Sequence, residues 1–428
     1  MKKYGKLWAL LMVLLLTAAL VVAGCGPKEA VEGEGETKVL TVGVDLPLTG
    51  SCAKAGTEFK DTVTMAFEEV GNKIGDYEVK LVWIDDQADP QKGTSAYEQA
   101  VVKDKIDVGI LNWNSSVAVA LMETVAKYQI PHYFGMGAAG TINEKWLSDE
   151  KYHYWINKGW AMPDKMTQAY VETIGQTIEN GTWTPRNKKI AIYGDDTDWG
   201  RSYGASMKKR FTDAGWEVVN EEYTKLGETD MYPLLTKMKS LDVSLVAGTI
   251  SSPPSAAAFI KQAREVNLNA LMICDALGET ADFYTLTGEA SDFILDNRPV
   301  FVKENALKFA ADFKAKYGYE PSPAAGGQVY DYTRFFIKCA NECLAENGKL
   351  DKETLYKFAQ EKLMTGQITF TDGVVCDEYK YDGATDPDPI VGEGKYIFPV
   401  VQYFGGKAMV IWPDSQKVGD IQIPDYAK

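Results

Sequence analysis

Residues 188–211 read KKIAIYGDDTDWGRSYGASMKKRF, and this stretch indicates how the chain folds. The apolar run 190–193 does not alternate with polar residues, as expected for a parallel strand covered on both faces. Gly194 and a cluster of acids end the run, and residues 204–211 continue at helical spacing. We therefore predict half of a βαβ unit, with its connecting turn at the carboxyl end of the strand, where open parallel sheets bind ligands. Trp199 stands in that turn, where it either meets a ligand or packs on the following helix.

The length and the charge of the chain limit its class. At 428 residues the chain is long enough for roughly two or three domains. It carries 45 basic and 60 acidic residues, a net charge of −15, and removal of the leader described next would leave −18 because it takes away three lysines and no acid. Binding to a phosphate backbone needs clustered Lys and Arg, so we predict no nucleic-acid partner.

The first residues have the pattern of a secretion signal. Three lysines accompany an apolar run, 7–20, which is shorter than a membrane span and is followed by small residues. Residues 22–25 read VAGC and resemble the bacterial lipobox, in which cleavage precedes the cysteine and its thiol carries a diacylglycerol. We predict a signal peptide over 1–24, a lipid anchor on Cys25 and a solvated tether over 25–37. The alternative is an ordinary leader with an incidental cysteine.

Strand and helix patterns alternate along most of the chain. They form two successive groups, the second of which begins after Lys158 and extends to Val300, at spacings that fit right-handed βαβ units. We therefore predict an α/β protein with two doubly wound α/β lobes. The pattern is then helical to residue 363, and the remainder indicates short antiparallel strands with a hairpin across Gly405 and Gly406.

The cysteines other than Cys25 are odd in number, so at least one thiol stays unpaired even where disulfides are permitted. Two of them lie four residues apart in a predicted helix with no histidine nearby, and we predict that this pair packs in a core rather than binding a metal. The five residues are Cys52, Cys274, Cys339, Cys343 and Cys376.

Six stretches, read in chain order, are informative together although each alone is weak. They are VLTVGVDLPLTGSCAKAG, VWIDDQADPQKGTSAYEQAVVKDKIDVGI, NWNSSVAVALMETVAKYQIPHYFGMGAAGT, IAIYGDDTDWGRS, FIKQAREVNLNA and QYFGGKAMVIWP. Together they resemble the leucine/isoleucine/valine-type periplasmic binding proteins of ABC importers. The likeness runs from about Val39 to Pro413, nearly the whole chain after the leader.

The resemblance implies two α/β lobes, joined by three chain crossings, that close on a ligand in the cleft between them. We place the crossings near residues 156–158, 295–298 and 368–372. Lobe 1 then comprises 38–157 plus 297–368, and lobe 2 comprises 158–296 plus 369–428.

Residues 135–140 read GMGAAG after a predicted strand, so a dinucleotide site has to be considered. That fingerprint belongs to the first βα turn of a unit with an acid closing the next strand, whereas this loop follows the fourth strand and lacks the acid, so we reject it. Small residues leave backbone N–H groups exposed, which suits a carboxylate, although the loop is alternatively a plain tight turn. The resemblance implies that Ala138, Ala139 and Thr141 lie closest to a ligand carboxylate.

Ser115 and Ser116 stand at the predicted start of a helix, where a hydroxyl satisfies free amides. The resemblance implies that this loop also holds the ligand carboxylate. Relatives commonly have G-P-L before the serines, whereas residues 111–113 read LNW here. Trp113 therefore puts a large ring at the rim, which counts against a purely aliphatic ligand.

The resemblance also assigns two residues of the second lobe. Trp199 takes the place of an aromatic residue that covers the ligand, and Asp275, at the end of a predicted strand, takes the place of an acid that binds an α-ammonium group. The Asp275 carboxylate in one lobe, facing hydroxyls and amides in the other, suits a zwitterion. The acid would meet the ammonium group, and the hydroxyls and amides would meet the carboxylate of the ligand. The alternative for Asp275 is a solvated turn or a helix cap.

The sequence offers little material for catalysis. The acid pairs 85–86 and 195–196 are neighbours in loops, whose side chains usually diverge, and residues 196–198 lack the rest of a calcium loop. His132 and His153 are the only histidines, too few for a histidine-rich metal site and little material for a Ser/His/Asp triad. We predict no enzyme activity, no metal and no cofactor.

We therefore predict an extracytoplasmic substrate-binding lipoprotein of an ABC importer, held at the cell membrane by the lipid on Cys25 and monomeric. It captures a small amino acid, branched-chain-like, or a related carboxylate and delivers it to the permease. A lipoprotein that presents its ligand to a receptor is one alternative. An importer component for an aromatic acid or amide is another, which the rings of Trp113, Tyr133, Trp160 and Trp199 keep open.

Overall fold

The structure is a computed structural model that describes residues 37–279, 283–383 and 386–428. The predicted signal peptide, the predicted lipid site Cys25 and all but the end of the predicted tether lie outside the described residues. Within the described ranges, no helix is both long enough and apolar enough to cross a membrane. Val39–Lys428 forms one compact unit, and two sheets divide it into two lobes.

The first lobe is built on a five-stranded sheet with the order β2-β3-β1-β4-β5. Strands β1, β4 and β5 are parallel, so the loops that follow them open at one edge of the sheet. The strands are β1 (Lys38–Leu46), β2 (Lys73–Ile74), β3 (Tyr77–Asp85), β4 (Val108–Ile110) and β5 (His132–Tyr133). The helices between and after them are α1 (Ala53–Glu69), α2 (Pro90–Gln99), α3 (Ser115–Tyr128) and α4 (Gly140–Ser148).

The second lobe is built on a seven-stranded sheet with the order β12-β11-β10-β9-β8-β6-β7. Strands β6 to β10 pair in parallel, and the predicted hairpin joins them antiparallel as β11 and β12. The strands are β6 (Lys189–Asp195), β7 (Glu217–Thr224), β8 (Leu245–Thr249), β9 (Leu271–Asp275), β10 (Leu295–Asn297), β11 (Val400–Phe404) and β12 (Lys407–Trp412). The helices are α5 (Pro163–Met166), α6 (Gln168–Glu179), α7 (Asp198–Asp213), α8 (Tyr232–Ser240), α9 (Pro253–Glu265) and α10 (Phe283–Thr287).

The stretch 188–211 forms β6 and α7, so the predicted strand and helix are confirmed. The helix begins at Asp198, six residues before the predicted start, because Thr197 caps it: its Oγ1 accepts a hydrogen bond from the Gly200 amide at 3.1 Å. Trp199 is therefore the second residue of the helix rather than part of a loop.

Three further helices complete the first lobe and bury its core. Cys339 and Cys343 are fully buried there, as predicted for core packing, and all five cysteines that the structure describes are buried with free thiols. The helices are α11 (Glu304–Tyr317), α12 (Val329–Asn347) and α13 (Lys352–Phe358).

The last crossing between the lobes differs from the prediction, which ended lobe 1 at residue 368. Phe370, Tyr379, Tyr381 and Phe398 are buried in the hydrophobic core of the first lobe. These rings fill that core from irregular backbone, which has no strand periodicity to reveal it in the sequence. We therefore place the third crossing between Phe398 and β11.

A buried ion pair joins the first crossing segment to the irregular segment that precedes the third crossing. The Lys158 Nζ lies 2.8 Å from the Asp388 Oδ1, and both side chains are fully buried. Lys165 Nζ lies 2.9 Å from the Asp388 Oδ2, and Lys158 Nζ also donates to the Ala138 carbonyl at 3.0 Å. The first crossing segment is thus tied to this irregular segment and to the loop after β5.

Candidate functional site

A pocket lies between the two lobes at the carboxyl-terminal edges of their parallel strands; we call it the interlobe pocket. It has an empty volume of about 530 Å³, which includes space open to solvent. The first lobe and its crossing contribute Ala88, Trp113, Asn114, Ser115, Ser116, Met136, Ala138 and Trp160, and the second lobe contributes Thr197, Trp199, Leu226 and Ser251.

The lobes touch each other around this pocket. The Ser116 Oγ accepts a hydrogen bond from the Asp198 amide at 2.9 Å, and the Ser202 Oγ of α7 accepts one from the Gly140 amide at 3.0 Å. Each lobe thus offers a serine hydroxyl to the first amide of a helix in the other lobe. The structure therefore represents a closed arrangement, in which the pocket is covered from both sides.

Three tryptophans from both lobes form the apolar walls of the pocket. Trp113 packs edge-on against Phe59, with ring centroids 5.3 Å apart, and Trp199 is fixed by a 3.0 Å hydrogen bond from its Nε1 to the Thr249 Oγ1. Trp160 is buried, and its Nε1 has no hydrogen-bond partner among the described residues. Because contacts outside the pocket hold the rings of Trp113 and Trp199, these walls are already in place for a flat or apolar ligand.

The described lining of the pocket supplies partial positive charge and no full charge of either sign. Helix α3 starts at Ser115 and α7 starts one residue after Thr197, so two long helices present their amino ends to the same space. Amino ends carry partial positive charge and exposed amides, which stabilise a carboxylate. None of the described residues that line the pocket is Asp, Glu, Lys, Arg or His.

Ser115 has a structural partner in the loop after β5. Its Oγ accepts hydrogen bonds from the amides of Ala138, at 3.0 Å, and Ala139, at 3.1 Å. In this structure the two amides that the resemblance assigned to a ligand carboxylate are therefore satisfied by Ser115. Ala138 lines the interlobe pocket, whereas Ala139 is fully buried and does not.

Thr141 lies in a second cavity beside the interlobe pocket. The two cavities share Ser116 and Thr197. Thr141 lines the second cavity and not the interlobe pocket. The Thr141 Oγ1 is buried and has no hydrogen-bond partner in the part of the chain that the structure describes. The structure thus brings Thr141 near the predicted serines but not into the interlobe pocket.

Asp275 does not have the predicted position at the ligand. It is only 2% exposed, does not line the interlobe pocket, and its Oδ2 accepts a hydrogen bond from the Tyr170 hydroxyl at 2.8 Å. Burial, followed by the nearby charge of Asp296, raises the pKa of Asp275 well above its usual value. A carboxyl group enclosed in this way cannot meet an α-ammonium group in the pocket, so the predicted role is corrected.

Sequence reasoning did not assign five pocket residues that follow strands of the two sheets: Ala88, Met136, Thr197, Leu226 and Ser251. Each stands two or three residues after the end of β3, β5, β6, β7 or β8. The strand ends themselves were the available signal, since such positions of parallel strands meet at one edge. Tyr133, by contrast, is buried in the first-lobe core, where its hydroxyl donates to the Leu355 carbonyl at 2.7 Å.

Metal binding has no support in the part of the chain that is described. There, no three His, Cys, Asp or Glu side chains are grouped in a way that could hold a metal ion. The two histidines have other environments: His132 is buried and stacks on Trp155, and His153 stacks on Trp146.

Two lobes, a closed contact between them and a pocket at facing strand ends are the features of a protein that closes on a ligand. The sequence profile described as periplasmic binding protein matches residues 39–375 of this chain. The chain belongs to the periplasmic binding protein family. The predicted family and the predicted fold class are thereby confirmed.

This binding protein is similar to leucine/isoleucine/valine-binding proteins. It is 28% identical over 237 residues to Leu/Ile/Val-binding protein homolog 2 of Brucella abortus (strain 2308), a match that covers 55% of this chain. The match spans 60% of that relative's own length.

Solved structures share the fold over most of the chain. The branched-chain amino acid transporter substrate-binding protein LivJ of Streptococcus pneumoniae, in complex with isoleucine, has a TM-score of 0.70 at 18% identity and covers 87% of this chain and 98% of its own. A solute-binding protein of an ABC transporter from Rhodopseudomonas palustris BisB5, in complex with 3,4-dihydroxybenzoic acid, has a TM-score of 0.71 at 19% identity and covers 86% and 95%.

Proposed function

We propose that this binding protein captures a small carboxylate with an aromatic or apolar body in the interlobe pocket and delivers it unaltered to the membrane subunits of an ABC importer. Membership of the family and the likeness to Leu/Ile/Val-binding proteins support the role in import. The same family supports an extracytoplasmic location and a binding role rather than catalysis.

The choice between an amino acid and a carboxylate without an ammonium group rests on one observation. No charged side chain is present among the described residues that line the pocket. An α-amino acid would bring an ammonium group into the pocket, and a buried ammonium group without an acidic partner is costly. Asp275, the residue predicted to supply that partner, is buried elsewhere. A carboxylate needs only the amino ends of α3 and α7, and a ring suits the tryptophan walls. Of the two ligand classes that the sequence left open, we therefore favour an aromatic acid or amide over a branched-chain-like amino acid.

A bound ligand favours closure because it can contact both lobes at once only when the lobes are closed. Ser116 and Ala138 line the pocket from the first lobe, and Thr197 and Trp199 line it from the second. Moving a hinge from mostly open to mostly closed takes about 5.5 kcal/mol of differential binding. Two or three hydrogen bonds to a charged group, each contributing about 1.5 to 3 kcal/mol, supply this amount.

Matched ligand pairs test the proposal on the purified chain by calorimetry. 3-Phenylpropanoate and phenylalanine share ring, chain and carboxylate and differ in the ammonium group; 4-methylpentanoate and leucine form the same pair without a ring. Benzoate and 4-hydroxybenzoate complete the panel. We expect the ammonium-free member of a pair to bind at least about tenfold more tightly, since an unpaired ammonium group costs more than 1.4 kcal/mol. Tighter binding of leucine and phenylalanine would contradict the proposed ligand class, and recovery of a bound compound in altered form would contradict simple delivery.

The lipid anchor is a further part of the proposal and rests on the sequence around Cys25. We expect the full chain expressed in a bacterial host to incorporate a labelled fatty acid. We expect Cys25→Ala to lose this label. Cys52→Ala is the matched control and should keep the label, since Cys52 is a buried free thiol. Label that persists in Cys25→Ala would contradict lipidation at this residue. Adjacent permease and ATPase genes would support import, and an adjacent receptor gene would support sensing.

A further inference from the structure

Three buried carboxyl groups lie behind the interlobe pocket, at strand ends of both sheets. Asp45 belongs to β1 and Asp86 directly follows β3, both in the first lobe, whereas Asp195 ends β6 in the second lobe. All three are fully buried. Burial raises the pKa of both Asp45 and Asp86, and the two carboxyl groups of the first lobe interact with each other. Among the described residues, no acidic group raises the pKa of Asp195 in this way.

Asp195 is covered by a contact between the two lobes. Its Oδ2 accepts a hydrogen bond from the Ser251 amide at 2.6 Å, and the Ser251 carbonyl accepts one from the Cys52 thiol of the first lobe at 3.7 Å. Cys52 in turn accepts a hydrogen bond from the Asn114 Nδ2, also at 3.7 Å. The remaining oxygen of Asp195, Oδ1, is buried and has no hydrogen-bond partner among the described residues.

This arrangement links the protonation of one carboxyl group to closure. Strands β6 and β8 end at the cleft and Cys52 belongs to the opposite lobe, so we expect separation of the lobes to remove Cys52 and to admit water to Asp195. Closure removes that water and leaves one carboxylate oxygen without a partner, which is costly for the ionised form and much less so for the protonated form. We propose that Asp195 is a proton-binding site of the closed state, so that closure on a ligand takes up a proton.

The groups that face Asp195 do not oppose this role. They are the thiols of Cys52, whose pKa burial raises to about 12, and of Cys274 in β9, whose pKa burial also raises, so both stay neutral. Asp86 interacts electrostatically with Cys52, and burial raises the pKa of Asp86 to about 7. None of these groups is a cation that would hold Asp195 ionised.

The sign and the pH window follow from the two states. Burial raises the pKa of Asp195 to about 6 in the closed state, although the hydrogen bonds from Ser251 oppose the shift. In water the pKa of an aspartate is about 3.9. Above pH 6 neither state carries the proton and closure bears the full cost of dehydration. As the pH falls from 6 to 4 only the closed state is protonated, so closure and ligand affinity become more favourable.

The experiment compares wild type, Asp195→Asn and the charge-matched control Asp213→Asn, whose side chain is exposed on α7. Small-angle scattering without ligand at pH 5 and pH 7.5 measures closure directly, and calorimetry with 3-phenylpropanoate at both pH values measures affinity. Asparagine keeps an acceptor for the Ser251 amide but cannot bind the proton. At each pH, the affinity of wild type or of Asp213→Asn is divided by the affinity of Asp195→Asn. We expect this ratio to be about tenfold larger at pH 5 than at pH 7.5. The ligand-free radius of gyration of wild type should be smaller at pH 5.

Wild type also provides an independent readout if Asp195→Asn fails to fold. Calorimetry in two buffers of different ionisation enthalpy counts protons, and we expect uptake of about 0.7 proton per ligand at pH 5.5 and almost none at pH 7.5. Equal pH dependence in wild type and Asp195→Asn overturns the proposal, as does a wild-type radius of gyration that is the same at both pH values. The scattering comparison needs no ligand, so a wrong ligand class leaves this test intact.

Discussion

Replacement of Asp388 by alanine is expected to lower the free energy of unfolding by about 3 to 5 kcal/mol. Asp388 Oδ1 accepts hydrogen bonds from Lys158 Nζ and from Asn143 Nδ2, and Oδ2 accepts them from Lys165 Nζ and the Met162 amide. Burial alone would raise the pKa of Asp388, but Lys158 and then Lys165 outweigh it and hold this pKa below its usual value. Burial already lowers the pKa of Lys158, so without the carboxylate Lys158 would either lose its proton or bury a charge whose remaining acceptors are neutral oxygens, those of Ala138 and Asn143. Urea denaturation followed by circular dichroism measures the loss.

Two controls separate this buried pair from ordinary ion pairs. Glu353→Ala removes an exposed pair with Lys357 in α13 and should cost no more than about 0.5 kcal/mol. The double variant Lys158→Met/Asp388→Leu replaces the buried pair by apolar side chains and should recover much of the stability that Asp388→Ala loses. A loss of less than about 1 kcal/mol in Asp388→Ala would show that the pair does not stabilise the joined lobes.

Replacement of Trp199 by alanine is expected to have the largest effect on ligand affinity, a loss of about 100-fold, or 2.7 kcal/mol. Trp199 packs against the cores of both lobes as well as lining the interlobe pocket, so its removal opens the pocket and takes away an aromatic wall. The measurement is calorimetry with the tightest compound of the ligand panel. The ligand-induced change in tryptophan fluorescence that arises from Trp199 should disappear as well.

Conservative variants keep this prediction specific. Trp199→Phe keeps a ring but loses the hydrogen bond from Nε1 to Thr249, which is worth about 1 kcal/mol, so we expect about a fivefold loss. Trp146→Phe changes a tryptophan outside the pocket that stacks on His153, and affinity should stay within about twofold of wild type. Full affinity in Trp199→Ala with an unchanged fluorescence signal would remove Trp199 from the ligand site.

The sequence predicted most of the architecture because the relevant signals are local. An apolar run without alternation, closed by Gly194 and acids, identifies β6, and the residues that follow identify α7. The same signals placed Trp113, Ser115 and Ser116 at a strand end, where the pocket is found. The predicted start of α7 lies six residues after the observed start. The sequence alone does not show that Thr197 caps the helix through a hydrogen bond.

Long-range pairing accounts for what sequence reasoning missed. Asp275 ends its strand as predicted, but the sequence does not reveal that Tyr170, more than one hundred positions earlier, encloses it. The tyrosine-rich segment around Tyr379 joins the first-lobe core without regular strands, so no periodicity could assign it to a lobe.

The sequence by itself determined the order of strands and helices, the two lobes and the strand ends that form the site, since turn residues and the periodicity of apolar residues act over a few neighbours. Only the tertiary structure decided that Ser115 satisfies the amides of Ala138 and Ala139, and that Cys52 of one lobe covers Asp195 of the other. These contacts join residues that are far apart in the chain, and they depend on how two sheets meet rather than on any local pattern.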